Sequence, residues 1–211
     1  MQNNSSREEI LQRIAAANKK RLAFVNTTPS NTETIYKSIQ PDAVSCFKNE
    51  LESVSGHCIL CEDEADMYAK LKNYVLEQNF PYLFCRDINI SKCLKKNDIA
   101  YSNQETDFNG MKAGITACEF LVARTGSVMI SAFQSGRQMN VFPPVHIVMA
   151  HVSQLVDYPG DALISIQKKY GQNLPSIIST ITGPSRTADI EKTLVLGAHG
   201  PKEIVVFLSK V

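Results

Sequence analysis

The chain has 211 residues, with 22 Lys+Arg against 21 Asp+Glu and a formal net charge of +1. That length suffices for one well-buried domain, or a domain with an arm. The even balance excludes the broad basic field that nucleic acid selects, and the longest uncharged run, 138–156, is too rich in Pro, His, Asn and Gln to read as a membrane span. The polar start, 1–9, lacks the apolar core of a signal peptide, so the expected location is cytoplasmic and the six cysteines are expected as free thiols.

In chain order, Ser6 with Glu9 three residues later fits a capping box and opens a first helix, with Ile10, Ile14 and Ala17 on one face. The Thr/Pro/Ser/Asn segment 26–31 reads as a linker. Residues 1–40 are therefore expected to form a helical arm with its linker, and 41–211 an α/β domain. A second helix is expected over 42–55, with Val44, Phe47, Leu51 and Val54 as its apolar stripe and Gly56 as terminator. A strand over 57–61 follows, then a helix over 63–78. That helix opens on Asp63, Glu64 and Asp66, as the helix dipole favours, and buries Tyr68, Leu71 and Val75. The next strand spans 82–85. Residues 86–112 carry too weak a pattern to assign.

From residue 113 short apolar runs predominate. Strands are expected over 114–117, 120–123 and 128–131, with Thr125-Gly126-Ser127 as a turn, and over 145–149. A helix near 161–170 stops at Gly171. The remaining expectation is a strand over 177–182, a helix over 187–196 and a strand over 203–208. Strands alternating with helices point to an α/β fold with a mainly parallel sheet flanked by helices.

The sharpest local feature is Thr182-Gly183-Pro184-Ser185-Arg186-Thr187-Ala188-Asp189-Ile190-Glu191. A strand, a Gly-Pro turn and a helix start bearing hydroxyls and a guanidinium would aim free N–H groups and a helix dipole at an anion. Gly183, Ser185, Arg186, Thr187 and Asp189 are thus candidate anion-binding residues, although Asp189 and Glu191 add opposing charge. Thr125, Gly126 and Ser127 form a second small-residue loop, equally readable as a hairpin turn. Glu119, in an apolar setting, is either ion-paired (with Arg124, Arg137 or Arg186) or carries a raised pKa. His146 opens a buried strand, and His199 lies in the loop Gly197-Ala198-His199-Gly200-Pro201. These three are the candidate catalytic residues.

Cys58 and Cys61 form a CxxC after His57, yet within a strand and without a second pair. They read as buried hydrophobes, so no metal site and no iron–sulfur ladder is expected in this chain. Lys19-Lys20-Arg21 and Lys95-Lys96 read as solvated helix ends.

The run 114–127 (GITACEFLVARTGS), the segment Pro144-Val145-His146-Ile147-Val148, and 181–191 followed by 196–201 (LGAHGP) resemble, in that order, the LUD-domain family of the lactate-utilisation protein C (LutC/YkgG) type. The resemblance is dense over 113–208 and thin before about 42. It implies a NagB/RpiA/CoA-transferase-like fold and a subunit of a system oxidising L-lactate to pyruvate. Iron–sulfur clusters would then belong to partner subunits, with no cofactor in this chain and a small carboxylate or other anion as ligand. It marks Glu119, Thr125, Gly126, His146, Ser185, Arg186, Asp189 and His199 as motif positions. Arg124 departs from the family, which usually has an acidic residue before Thr-Gly. That reversal implies either a more anionic ligand or a degraded activity. Two alternatives stand beside this reading: a non-catalytic small-anion-binding or assembly module, and, by fold analogy, a transferase or isomerase on CoA esters or sugar phosphates with Glu119 as nucleophile.

Overall fold

The computed structural model describes residues 6–19, 38–190 and 193–211. The chain divides into two units, Met1–Ser38 and Ile39–Val211. In the first, α1 (Ser6–Lys19) is the described element. It covers the first helix expected from the sequence, and Glu9 pairs with Arg13 one turn on at 2.6 Å. The linker expected at 26–31 lies outside the described residues.

The second unit opens with α2 (Ala43–Ser53), capped by Asp42, whose carboxylate accepts from the Ser45 N–H. Next come β1 (His57–Cys61) and α3 (Glu64–Glu77), the latter capped by Asp63. The unassigned stretch 86–112 supplies α4 (Ile88–Lys96), β3 (Tyr101–Ser102) and α5 (Glu105–Phe108) after β2 (Leu83–Phe84). β3 and α5 are too short to show a period, whereas α4 carries one, with Ile90 and Leu94 buried four residues apart, that the sequence reading missed. Then follow β4 (Ala113–Ala117), β5 (Phe120–Val122), β6 (Ser127–Ser131), α6 (Ala132–Ser135), β7 (Val145–His151), β8 (Leu155–Val156) and α7 (Pro159–Tyr170). The chain closes with β9 (Ile178–Ile181), β10 (Arg186–Ile190), β11 (Thr193–Leu196) and β12 (Glu203–Ser209).

Six strands form a parallel sheet in the order β1-β12-β7-β4-β2-β3, as the α/β pattern requires. Alternation along each strand sorts the core onto its two faces. On one face Ile115, Ile147, Val205 and Phe207 pack with Met67 and Leu71 of α3 and Leu94 of α4. On the other, Val148, Val206 and Leu208 pack with Phe47 and Leu51 of α2 and with Leu121, Val128 and Ile130. These last three belong to a second sheet, β8-β5-β6-β9, whose far side meets Ala162 and Ile166 of α7.

Two expectations need correction. The strands at 120–122, 127–131 and 178–181 are not part of the parallel sheet; they make the second, mixed sheet, with β6 antiparallel to both β5 and β9. More consequentially, 187–196 is no helix. β10 and β11 form an antiparallel hairpin with a bulge between Ala188 and Ile190. Thr187, Ile190, Thr193 and Val195 are β-branched and favour the extended backbone. The Thr-x-Asp run that mimics a helix start lies in β10 instead. Among the described residues no helix is long and apolar enough to cross a membrane.

Candidate functional site

The site residues expected from sequence fall at the two opposite edges of the parallel sheet. At the amino edge, α2 ends just before β1. Ser55 takes the left-handed conformation (φ 66), and the Ser55 and Gly56 N–H groups return to the carbonyls of Glu52 and Leu51. The Val54 carbonyl is left over. Arg186 Nη2 donates to it at 2.5 Å and to Ser55 Oγ at 3.1 Å. The expected layout was a helix N-terminus attracting an anion. The observed one is its inverse, a helix C-terminus with partial negative charge attracting a guanidinium.

The glycines of both small-residue loops serve the same contact. Gly126 (φ 59) lies so close to α2 that a Cβ would sit 2.2 Å from the Leu51 nitrogen, and a Cβ on Gly183 (φ 75) would sit 2.5 Å from the Val54 oxygen. Only glycine fits either position. The Ser127 hydroxyl joins the two loops, at 2.7 Å from both Thr125 Oγ1 and Thr182 Oγ1. The structure thus brings Thr125, Gly126, Ser127, Gly183 and Arg186 together, as a clasp on the end of α2. Thr125-Gly126-Ser127 is also the hairpin turn that joins β5 to β6. Thr187 pairs with Val195 in the hairpin, and the Asp189 side chain lies outside the described residues.

Ser185 leads from the clasp to a cleft. Its N–H donates to the Pro201 carbonyl at 2.8 Å, and its carbonyl accepts from the Gly197 N–H at 2.9 Å. The cleft, about 300 Å³, is lined by Val141, Phe142, Pro144, Gly197–Gly200 and Lys202. His199 is therefore a wall of it. His146, one strand position inside the same edge, is fully buried. Its Nε2 lies 2.9 Å from Thr116 Oγ1, and Nδ1 has no partner among the described residues. Burial lowers its pKa to about 4, so it is neutral.

At the carboxyl edge, Glu119 follows β4. Its expected arginine partners are not used. Oε2 accepts from Lys169 Nζ at 2.7 Å, and Oε1 accepts from the Tyr170 hydroxyl at 2.7 Å and from Ser131 Oγ at 2.5 Å. Burial pushes this carboxyl up, but the bonds from Lys169, Ser131 and Tyr170 outweigh it and leave the pKa below the ordinary value. The space beside it, lined by Ala117, Cys118, Ser131, Ser135 and Lys169, is about 30 Å³, room for one water. Sequence reasoning missed Lys169, Tyr170 and Ser131. Lys169 stands 50 residues from Glu119, and nothing local couples them.

Cys58 and Cys61 lie on opposite faces of β1, one in each core cluster, because an odd spacing in a strand reverses the side. They cannot share a ligand. Burial raises their thiols to about 12 and about 11. Among the described residues no three His, Cys, Asp or Glu side chains are grouped to hold a metal ion.

The LUD domain model matches residues 44–209, most of the chain. The chain belongs to the LUD-domain family. Among curated relatives, this LUD domain is 36% identical over 105 residues to Lactate utilization protein C 1 of Bacillus mycoides, 47% of this chain and 45% of that protein. It is 37% identical over 98 residues to Lactate utilization protein C of Bacillus subtilis (45% and 41%). It is 31% identical over 100 residues to uncharacterized protein YkgG of Escherichia coli (46% and 43%). The aligned stretch spans under half the length of each of these relatives. Among solved structures, a DUF162 family protein from Deinococcus radiodurans matches with a TM-score of 0.60 at 13% identity, covering 82% of this chain and 99% of that one. That likeness establishes the shared fold.

Proposed function

We propose that this LUD domain is a C-type component of a lactate-utilisation system. It binds a small carboxylate or other anion and supports oxidation of L-lactate to pyruvate, while iron–sulfur partner subunits carry the electrons. The observation that carries the reading is the family match over 44–209 together with relatives named for lactate utilisation.

Within that system the geometry favours a binding or assembly role over a catalytic one. Arg186, the natural carboxylate clamp, is held by the end of α2. Glu119 has both oxygens engaged by three donors. A transferase using Glu119 as nucleophile would first have to release it from Lys169, because a carboxylate so stabilised is a weakened nucleophile.

The test is lactate-dependent dye reduction by the reconstituted partner subunits, with and without this chain. A rate that falls when the chain is omitted supports the proposal, and an equal rate without it contradicts it. A covalent Glu119 adduct trapped with an acyl-CoA would instead establish the transferase reading.

A further inference from the structure

We propose that the amino-edge cleft is a binding site for an organic anion that carries an apolar group, larger than lactate. The inference stands independently of the lactate reading.

The walls are fixed by backbone. Lys202 N–H and Glu203 N–H both donate to the Pro144 carbonyl (2.8 and 3.3 Å), while Ser185 bonds both Gly197 and Pro201. Two loops that approach from different parts of the chain are therefore held in one geometry before any ligand arrives, which lowers the ordering cost of binding.

Within this frame the side chains are uncommitted. Val141 and Phe142 remain 49% and 56% exposed, an apolar shelf steadied by Phe108, whose ring centroid is 4.9 Å from that of Phe142. Among the described residues neither His199 nor Lys202 makes a side-chain hydrogen bond or ion pair. The Lys202 stem lies against Gly197, along the cleft wall.

Among the described residues no carboxylate lines the cleft. The nearest in sequence, Glu203, is turned to the opposite face of the sheet, where Oε1 accepts from the Tyr74 hydroxyl at 3.0 Å. An apolar shelf beside a lysine and an imidazole, with no opposing acid among the described residues, selects an anion with a hydrophobic body.

Size sets the class. The cleft's 300 Å³ lies at the lower end of the range for drug-sized ligands, about 300–1,000 Å³. A three-carbon hydroxy acid would leave the Phe142 shelf uncovered, whereas an aromatic or branched carboxylate would reach it.

The experiment is calorimetric titration of the full chain with 3-phenyllactate, and in parallel with lactate and the neutral 3-phenyl-1,2-propanediol. The expected result is saturable 3-phenyllactate binding, one per chain, weakened about tenfold by Lys202→Ala through loss of one charged contact. Ala198→Trp, which fills the cleft from an exposed loop, is expected to abolish it. Both variants should melt where the parent does. Absence of saturable 3-phenyllactate binding, affinity unchanged in both variants, or lactate binding as tightly as 3-phenyllactate would overturn the proposal.

Discussion

The two edges of the central sheet are built by opposite means. At the carboxyl edge, the common ligand position in open α/β sheets, side chains do the holding. Glu119 consumes Lys169, Tyr170 and Ser131, and the space left is about 30 Å³. At the amino edge, main chain and glycine do most of it: Gly126 and Gly183 press on α2, and the 197–203 loop is bonded to Ser185 and Pro144 through backbone groups. There, among the described residues, the His199 and Lys202 side chains make no hydrogen bond or ion pair and Phe142 stays half exposed, around a cleft of about 300 Å³. A motif position can therefore be demanding for two different reasons. It can carry a ligand, or it can shape a loop so that other residues do.

Substitutions can break this contrast in graded steps. The largest effect is expected from Gly126→Ala, which sets a Cβ 2.2 Å from the backbone of α2 at a positive φ. It should lower stability by about 3 kcal/mol or more in urea unfolding.

Protonation of His146 comes next. Its folded pKa, about 4, is below the unfolded value of about 6.5, so the unfolded state binds the extra proton between those limits. Stability should fall as pH drops from about 6.5 to about 4, by roughly 2–3 kcal/mol in total. His146→Gln should flatten that slope when unfolding is followed across the pH series.

Glu119→Ala leaves the Ser131 and Tyr170 hydroxyls without their acceptor and should cost about 2 kcal/mol. Because the folded Glu119 pKa is lowered, its contribution is present above the unfolded carboxyl pKa and lost as pH falls through the folded one. Glu119→Gln should therefore narrow the stability difference from the parent in acid. Arg186→Ala, removing an exposed cap of α2, should cost about 1 kcal/mol. At the free end of the scale, His199→Ala and Lys202→Ala should leave the urea midpoint unchanged.

Much of the frame was legible in the sequence because it is local. Asp42 and Asp63, at which the second and third helices were expected to open, cap α2 and α3, and apolar runs mark β1, β7 and β12. The hairpin at 186–196 was not, because Thr, Asp and Glu after a Gly-Pro turn satisfy helix-start rules and only pairing with a second strand decides otherwise. The membership of β5, β6 and β9 in a separate sheet is likewise tertiary information. In the candidate site the two small-residue loops were recognised, but not that they meet through Ser127 and Thr182, 55 residues apart. The acidic residue was recognised, but not its lysine. The cleft combines Phe142 with Lys202 from distant segments, and no sequence window contains both.

The most direct measurement is a two-dimensional NMR titration of the isotopically labelled chain with 3-phenyllactate. Shift changes are expected at Val141, Phe142, Ala198, His199 and Lys202, with Glu119, Ser131 and Lys169 unmoved. Changes clustered instead around Glu119 and Lys169 would place the ligand at the carboxyl edge and contradict the proposal.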